Sequence, residues 1–207
     1  TIDVHRKLQG TGVDALTAWE ILGDPAEVID VAGCRALRLP EAARALYIVL
    51  HAAHHGRAWG KALVHLEKAL DLVEGPVWQH ASDLAARLDA LDAFVVGLRL
   101  LPKGTELASA LELRSATSAE ALLHSETPPP TALGFAQLAK AASTRERAAI
   151  AARKMFPPPA FIRHWWTPAR RSRRMLIIGY AYRQLWLVTH ARRGLPAWLR
   201  ARQRARR

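Results

Sequence analysis

Three consecutive prolines, Pro128 to Pro130 in the stretch SETPPPTALG, constrain the fold of this chain more than any other feature. Proline lacks a backbone N–H and its ring clashes with the preceding helical turn, so no helix runs through such a series. The chain is expected to divide there into two helical regions joined by an extended spacer. A second run, Pro157 to Pro159 in FPPPAF, breaks the downstream region again. Half of the 207 residues are hydrophobic, which is enough for one sizeable core or two small ones.

Upstream of the spacer the pattern changes once. Thr1 to Leu8 alternates apolar and polar residues, with Ile2 and Val4 opposite Asp3 and His5, as a half-buried strand does. Because it reads as a strand entered midway, the sequence is expected to begin inside a larger domain. Val13 to Leu22 suits a short helix closed by Gly23, and EVIDVAGCRALRLP reads as a hairpin turning at Ala32 and Gly33. From Pro40 the periodicity is helical. EAARALYIVLHAAHH ends at Gly56, Lys61 to Glu74 follows and is stopped by Gly75-Pro76, and Trp78 to Leu101 forms one bent helix or two short ones. The stretch PKG then separates a weak helix near Thr105 to Leu111. Beyond the spacer, Thr131 to Met155 is expected to be helical, Pro168 to Arg193 to form a long basic amphipathic helix, and Arg200 to Arg207 to fray. The fold class that results is mainly α with a small β element at the N-terminus, an α+β chain in which strand and hairpin precede a helical bundle. Three regions are expected: the β region at 1–39, a helical domain at 40–126, and a proline-linked basic helical region at 127–207.

Charge is distributed as unevenly as proline. The net charge is +12, yet residues 147–207 carry sixteen Lys or Arg and no acid, while the other 146 hold fourteen basic and eighteen acidic side chains. Such asymmetry points to an anionic partner for the C-terminal region. Arg163, Arg170, Arg171, Arg173 and Arg174 interleave with Trp165 and Trp166, a combination that grips phosphates while stacking on bases. The same aromatics recur where a helix must bury a face. Intramolecular packing, an acidic lipid or protein surface, and nucleic acid are therefore all open, in that order. The longest apolar run, Met175 to Val188, is interrupted by Arg183 and too short to span a bilayer, so no transmembrane helix is expected. Cys34 is the only cysteine, which excludes an internal disulfide and a four-cysteine zinc site and fits a reducing, cytoplasmic setting.

The stretch LHAAHHG, Leu50 to Gly56, carries three histidines. On a helix, His51 projects beside both His54 and His55. A zinc peptidase of the H-E-x-x-H type needs a glutamate directly after the first histidine, and Ala52 stands there. A metal site would take its third ligand from His65, Glu67 or Asp71 on the next helix. The structural alternative places His51 on the inner face, bonded to a carbonyl or carboxylate, with His54 and His55 at the helix end, where imidazolium complements the helix dipole.

Several stretches in order resemble the nucleotidyltransferase-like family found widely in bacteria, whose members look like distant relatives of the DNA polymerase beta-type nucleotidyltransferase fold. They are IDVHRKL at 2–8, ARALYIVLHAAHHG at 43–56, KALVHLEKAL at 61–70, FVVGLRLLPKGTELASALEL at 94–113, and MFPPPAFIRHWW running into GYAYRQLWL. The resemblance implies metal-dependent nucleotidyl transfer, in which carboxylates hold Mg²⁺ ions that orient an NTP and activate an acceptor hydroxyl. It implies that Asp3 is the third carboxylate and metal ligand, with His5 on the same strand and His51, His54 and His55 supporting the site from the helix behind. The Gly-Ser turn and D-x-D pair that such a site needs do not occur in the 207 residues. The resemblance puts them upstream, so this chain is expected to be a C-terminal portion, inactive alone. His65 stands where an acidic residue would be expected. The competing reading is a non-catalytic basic helical module that binds an anionic partner.

Overall fold

The computed structural model describes residues 8–115, 118–126 and 128–206; the expected N-terminal strand, with Asp3 and His5, lies outside them. The chain forms two units, Thr1–Thr127 and Pro128–Arg207.

In the first unit, helix α1 (Ala15–Leu22) starts where Asp14 accepts the backbone N–H groups of Leu16 and Thr17 at 2.9 and 3.2 Å. Strands β1 (Glu27–Val31) and β2 (Cys34–Arg38) pair antiparallel, Ile29 opposite Ala36. Ala32 and Gly33 turn between them at φ 54° and 82°, the left-handed pair that matches the twist of a two-residue hairpin. Only Ile29 and Ala36 are half-buried, so the hairpin is held by its own ladder and a Glu27–Arg38 ion pair more than by the core.

Helix α2 (Glu41–His55) is the hub. Leu46, Val49 and Leu50 are buried on it, together with four alanines that let neighbours approach closely. Around it pack α3 (Gly60–Leu72), α4 (Gly75–Arg87), α5 (Leu91–Leu98) and α7 (Ala119–Ser125), while α6 (Pro102–Ala110) packs on α3 and α5. A Cβ on Gly97 would lie 2.4 Å from the Val49 carbonyl oxygen, so glycine is what brings α5 against the α2 backbone. Trp78 and Phe94 fill the core, and the Trp78 indole N–H donates to the Val73 carbonyl at 3.1 Å.

Several boundaries differ from the sequence reading for one reason. Proline at the first helical positions costs no hydrogen bond, so it opens a helix as readily as it stops one. Gly75-Pro76 begins α4 rather than ending α3, and Pro102-Lys103-Gly104 forms the first turn of α6 rather than a break before it. Pro40, from which the helical periodicity runs, occupies the cap position before α2. Of the two alternatives for Trp78 to Leu101, the structure has two helices, while α7 arises between Ser118 and the proline spacer, where none was expected.

In the second unit the expected helix from Thr131 to Met155 is two, α8 (Ala132–Lys140) and α9 (Thr144–Met155). Ser143 accepts the Glu146 N–H at 3.1 Å while the Glu146 carboxylate takes the Ala142 N–H at 2.8 Å, a reciprocal cap that starts α9 afresh. After α10 (Pro159–Trp165) and a 3₁₀ turn (Thr167–Arg170), α11 runs from Arg173 to Arg204, with Ser172 accepting the Met175 N–H. It therefore starts later than expected and extends well beyond Arg193. Arg200 to Arg204 are helical, not frayed, because the buried Ala201 anchors that end. Among the described residues no helix is long and apolar enough to cross a membrane.

Candidate functional site

The C-terminal turn of α2 gathers the site. His51 and His55 lie one turn apart, as their i, i+4 spacing dictates, with ring centroids 4.7 Å apart. His54 stands 5.0 Å from His55, edge to face. The chain then turns at Gly56, which takes φ 63° but ψ −163°, extended rather than left-handed helical, and a 3₁₀ turn (Gly56–Ala58) leads to Trp59. That reversal folds Trp59 back on the helix, 3.8 Å from His55 and 5.3 Å from His51. Tyr47 stacks on His51 from the preceding turn at 5.9 Å.

His124 of α7 completes the group. Its ring lies 5.1 Å from that of His54, and its Nδ1–H donates to the His54 carbonyl at 3.0 Å. This bond answers one of the carbonyls that every helix leaves exposed in its last turn. It also fixes the proton on Nδ1, which leaves Nε2 of a neutral His124 as an acceptor. His51, His55 and His124 are half-buried, whereas His54 and Trp59 are exposed. The surface is thus a patch of imidazoles edged by an indole face, at the negative end of a helix that favours cationic imidazole.

Trp59 and His124 were not singled out from the sequence. Trp59 carried no periodic signal, since the helix ends at Gly56 and the reversal there brings it back. His124 carried none, since it lies seventy residues from its partner. Asp71 pairs with Lys103 at 2.5 Å, raising the lysine pKa through that hydrogen bond and the attached charge, and His65 and Glu67 are exposed on α3. Among the described residues no group of three or more His, Cys, Asp or Glu side chains is arranged to hold a metal ion.

The five arginines singled out in the basic region are exposed. Arg163 closes α10, and Arg170 turns back so that its Nε–H donates to the Arg163 carbonyl at 2.8 Å. Arg171 follows, and Arg173 and Arg174 occupy the first turn of α11. Cations at the positive end of a helix dipole repel it, and an anion relieves that repulsion. The interleaved aromatics pack inward instead. Trp166 joins the cluster of Ile162, Ala169 and Leu176, and Trp165 stands 5.7 Å from Trp186. Arg183 lies 4.9 Å over the Phe161 ring and 5.3 Å over Trp165, donating two N–H groups to the Lys154 carbonyl; burial lowers its pKa.

No family model, curated protein or solved structure matches the chain.

Proposed function

We propose that this chain is the C-terminal, mainly helical portion of a nucleotidyltransferase-like enzyme that transfers a nucleotidyl group from an NTP to an acceptor. The observation that supports this reading is the gathering of His51, His54, His55 and His124 with Trp59 at the end of α2, one of the stretches that carry the family resemblance. Imidazolium N–H groups suit phosphate oxygens, and an exposed indole suits a base. His51 and His55 would orient the triphosphate, with His124 holding the helix end in place.

The nitrogen donors of this cluster do not suit Mg²⁺, which takes oxygen ligands in octahedral geometry. The metal role in this reading therefore belongs to Asp3 and to carboxylates upstream of it, and the histidines act on the nucleotide alone. A reducing, cytoplasmic setting accords with the single cysteine.

The test uses the protein expressed from its whole coding region. Transfer of label from the α-phosphate of an NTP is expected, with Asp3→Ala lowering it at least about a hundredfold while the thermal melt stays put. Activity that survives Asp3→Ala, or imidazole resonances of His51 and His55 that ignore added NTP, would overturn the proposal.

A second reading, a non-catalytic basic module for an anionic partner, is favoured by one observation. Arg163, Arg170, Arg171, Arg173 and Arg174 stand exposed in a region of sixteen basic residues and no acid.

A further inference from the structure

Helix α11 is apolar on two sides. Its inner side carries the buried Leu176, Gly179, Gly194 and Ala201 and packs on α8, α9, α10 and the 3₁₀ turn. The other side is open. Ile177, Ala181, Leu185, Val188, Leu195 and Leu199 follow one another at spacings of three or four with Arg192 between, so they share one face. Ile177, Leu185 and Val188 are 65, 62 and 66% exposed, and Leu195 and Leu199 about two-fifths exposed. The row runs about 33 Å at the rise of an α-helix.

Its charges sort the candidate occupants. Every ionised side chain on α11 is cationic: Arg173 and Arg174 precede the row, Arg183 is turned to the Lys154 carbonyl on the packed side, Arg192 interrupts the row with Arg193 next to it, and Arg200, Arg202 and Arg204 follow the last positions. A second copy docked along this row would oppose arginine to arginine, a like-charge arrangement that costs free energy. A nucleic acid would satisfy the arginines but offers no hydrocarbon to Ile177, Leu185 or Val188. The aromatics that would stack on its bases, Trp165 and Trp186, are half-buried against each other. An anionic bilayer surface supplies both partners, headgroup charge for the arginines and acyl chains for the aliphatic row, in the manner of an interfacial amphipathic helix.

We propose that α11 is a peripheral membrane-docking helix which lies in the plane of an anionic lipid surface, with the row from Ile177 to Leu199 inserted at the acyl boundary. This deepens the second reading above by naming the anionic partner, and it rests on that reading's claim of one.

The experiment is co-sedimentation of the intact chain with phosphatidylcholine vesicles, with and without phosphatidylglycerol, for wild type and for Leu185→Ser with Val188→Ser. Both side chains point away from the packed side of α11, so helix content and melting temperature serve as the fold check. The expected result is sedimentation only with the phosphatidylglycerol vesicles, weakened about tenfold or more in the double variant from the lost apolar burial. Retention on heparin, which has charge and no hydrocarbon, is measured alongside and is expected to be unchanged by the two substitutions. Equal sedimentation of wild type and variant, or none by either, overturns the docking helix. Heparin retention that persists in that case leaves the anionic-partner reading standing, and its loss removes both. Dimers in light scattering that the double variant dissociates, with vesicles ignored, also overturn the proposal, as does RNA binding without vesicle binding.

Discussion

The two units of this protein solve the folding problem with opposite resources. Residues 1–127 hold twelve basic and seventeen acidic side chains, a near balance, and bury large apolar groups such as Trp78, Phe94, Leu46 and Leu66 around one central helix. Residues 128–207 hold eighteen basic side chains and a single acid, Glu146. Their fully buried side chains are mostly alanines, with Ile162 as the large exception. Where core volume is small, the second unit leans on close backbone approach and directed hydrogen bonds: Tyr180 to the Pro157 carbonyl at 2.6 Å, Gln184 to that of Met155 at 2.6 Å, Thr131 to that of His190 at 2.9 Å. The lesson is that a chain with too few large apolar groups for a second core still builds a unit if its helices can come within hydrogen-bonding range of one another's ends.

The sharpest way to break this comparison is to empty the first core. Phe94→Ala is expected to cost about 3–5 kcal/mol, read by denaturant unfolding, because a fully buried ring leaves a cavity that α2 and α5 cannot close. Amide exchange should accelerate in residues 8–115 and stay unchanged in 128–206. Loss of protection in both would show that the two units unfold together. A smaller effect, about 1–3 kcal/mol, is expected in the second unit from Gly194→Ala. A Cβ there would meet the Ala132 backbone nitrogen at 2.9 Å and the Thr131 carbonyl carbon at 3.0 Å, and backbone cannot swing aside. Gly134→Ala is the control. It has only the flexible end of Lys154 nearby at 3.8 Å and should be neutral or slightly stabilising.

The smallest effect separates the units by pH. The Thr17 hydroxyl, donating at 2.7 Å, and then the Thr17 and Leu16 backbone N–H groups hold the Asp14 carboxyl below the usual carboxylate range. A carboxyl whose pKa falls on folding contributes stability above its ordinary pKa and loses it as pH drops through the lowered one. Amides at the start of α1 are therefore expected to open more readily in that acidic window, while those at the start of α11, capped by the uncharged Ser172, keep their protection. Asp14→Asn keeps a capping oxygen and should abolish the difference.

How much of this was legible in the sequence varied with the range of the forces involved. The hairpin was readable because its turn chemistry is local: Asp30, Ala32 and Gly33 specify the reversal, with Asp30 accepting the Gly33 N–H at 2.9 Å. Helix α2 was readable from its periodicity and its closing glycine. The starts of α4 and α6 were not legible because a proline seen from sequence alone does not say on which side of it the helix lies. The division between α8 and α9 was missed because the capping pair Ser143 and Glu146 sits inside an otherwise continuous helical pattern. Of the candidate site, His51, His54 and His55 were visible as a local cluster, and the structure brings them together as their spacing required. His124 was not visible, since nothing near Ser118 to Ser125 announces a partner in α2. Asp3 and His5 lie outside the described residues.

The bond from His124 to the His54 carbonyl has a practical consequence for anyone shortening this protein. It ties the last turn of α2 to a segment just ahead of the proline spacer, so a chain cut before Ala119 loses the far buttress of the imidazole patch along with α7. Such a truncation would relax the helix end and move His54 while leaving every residue of LHAAHHG in place. A ligand that failed to bind the shortened chain would then report on the missing buttress, not on His51 or His55.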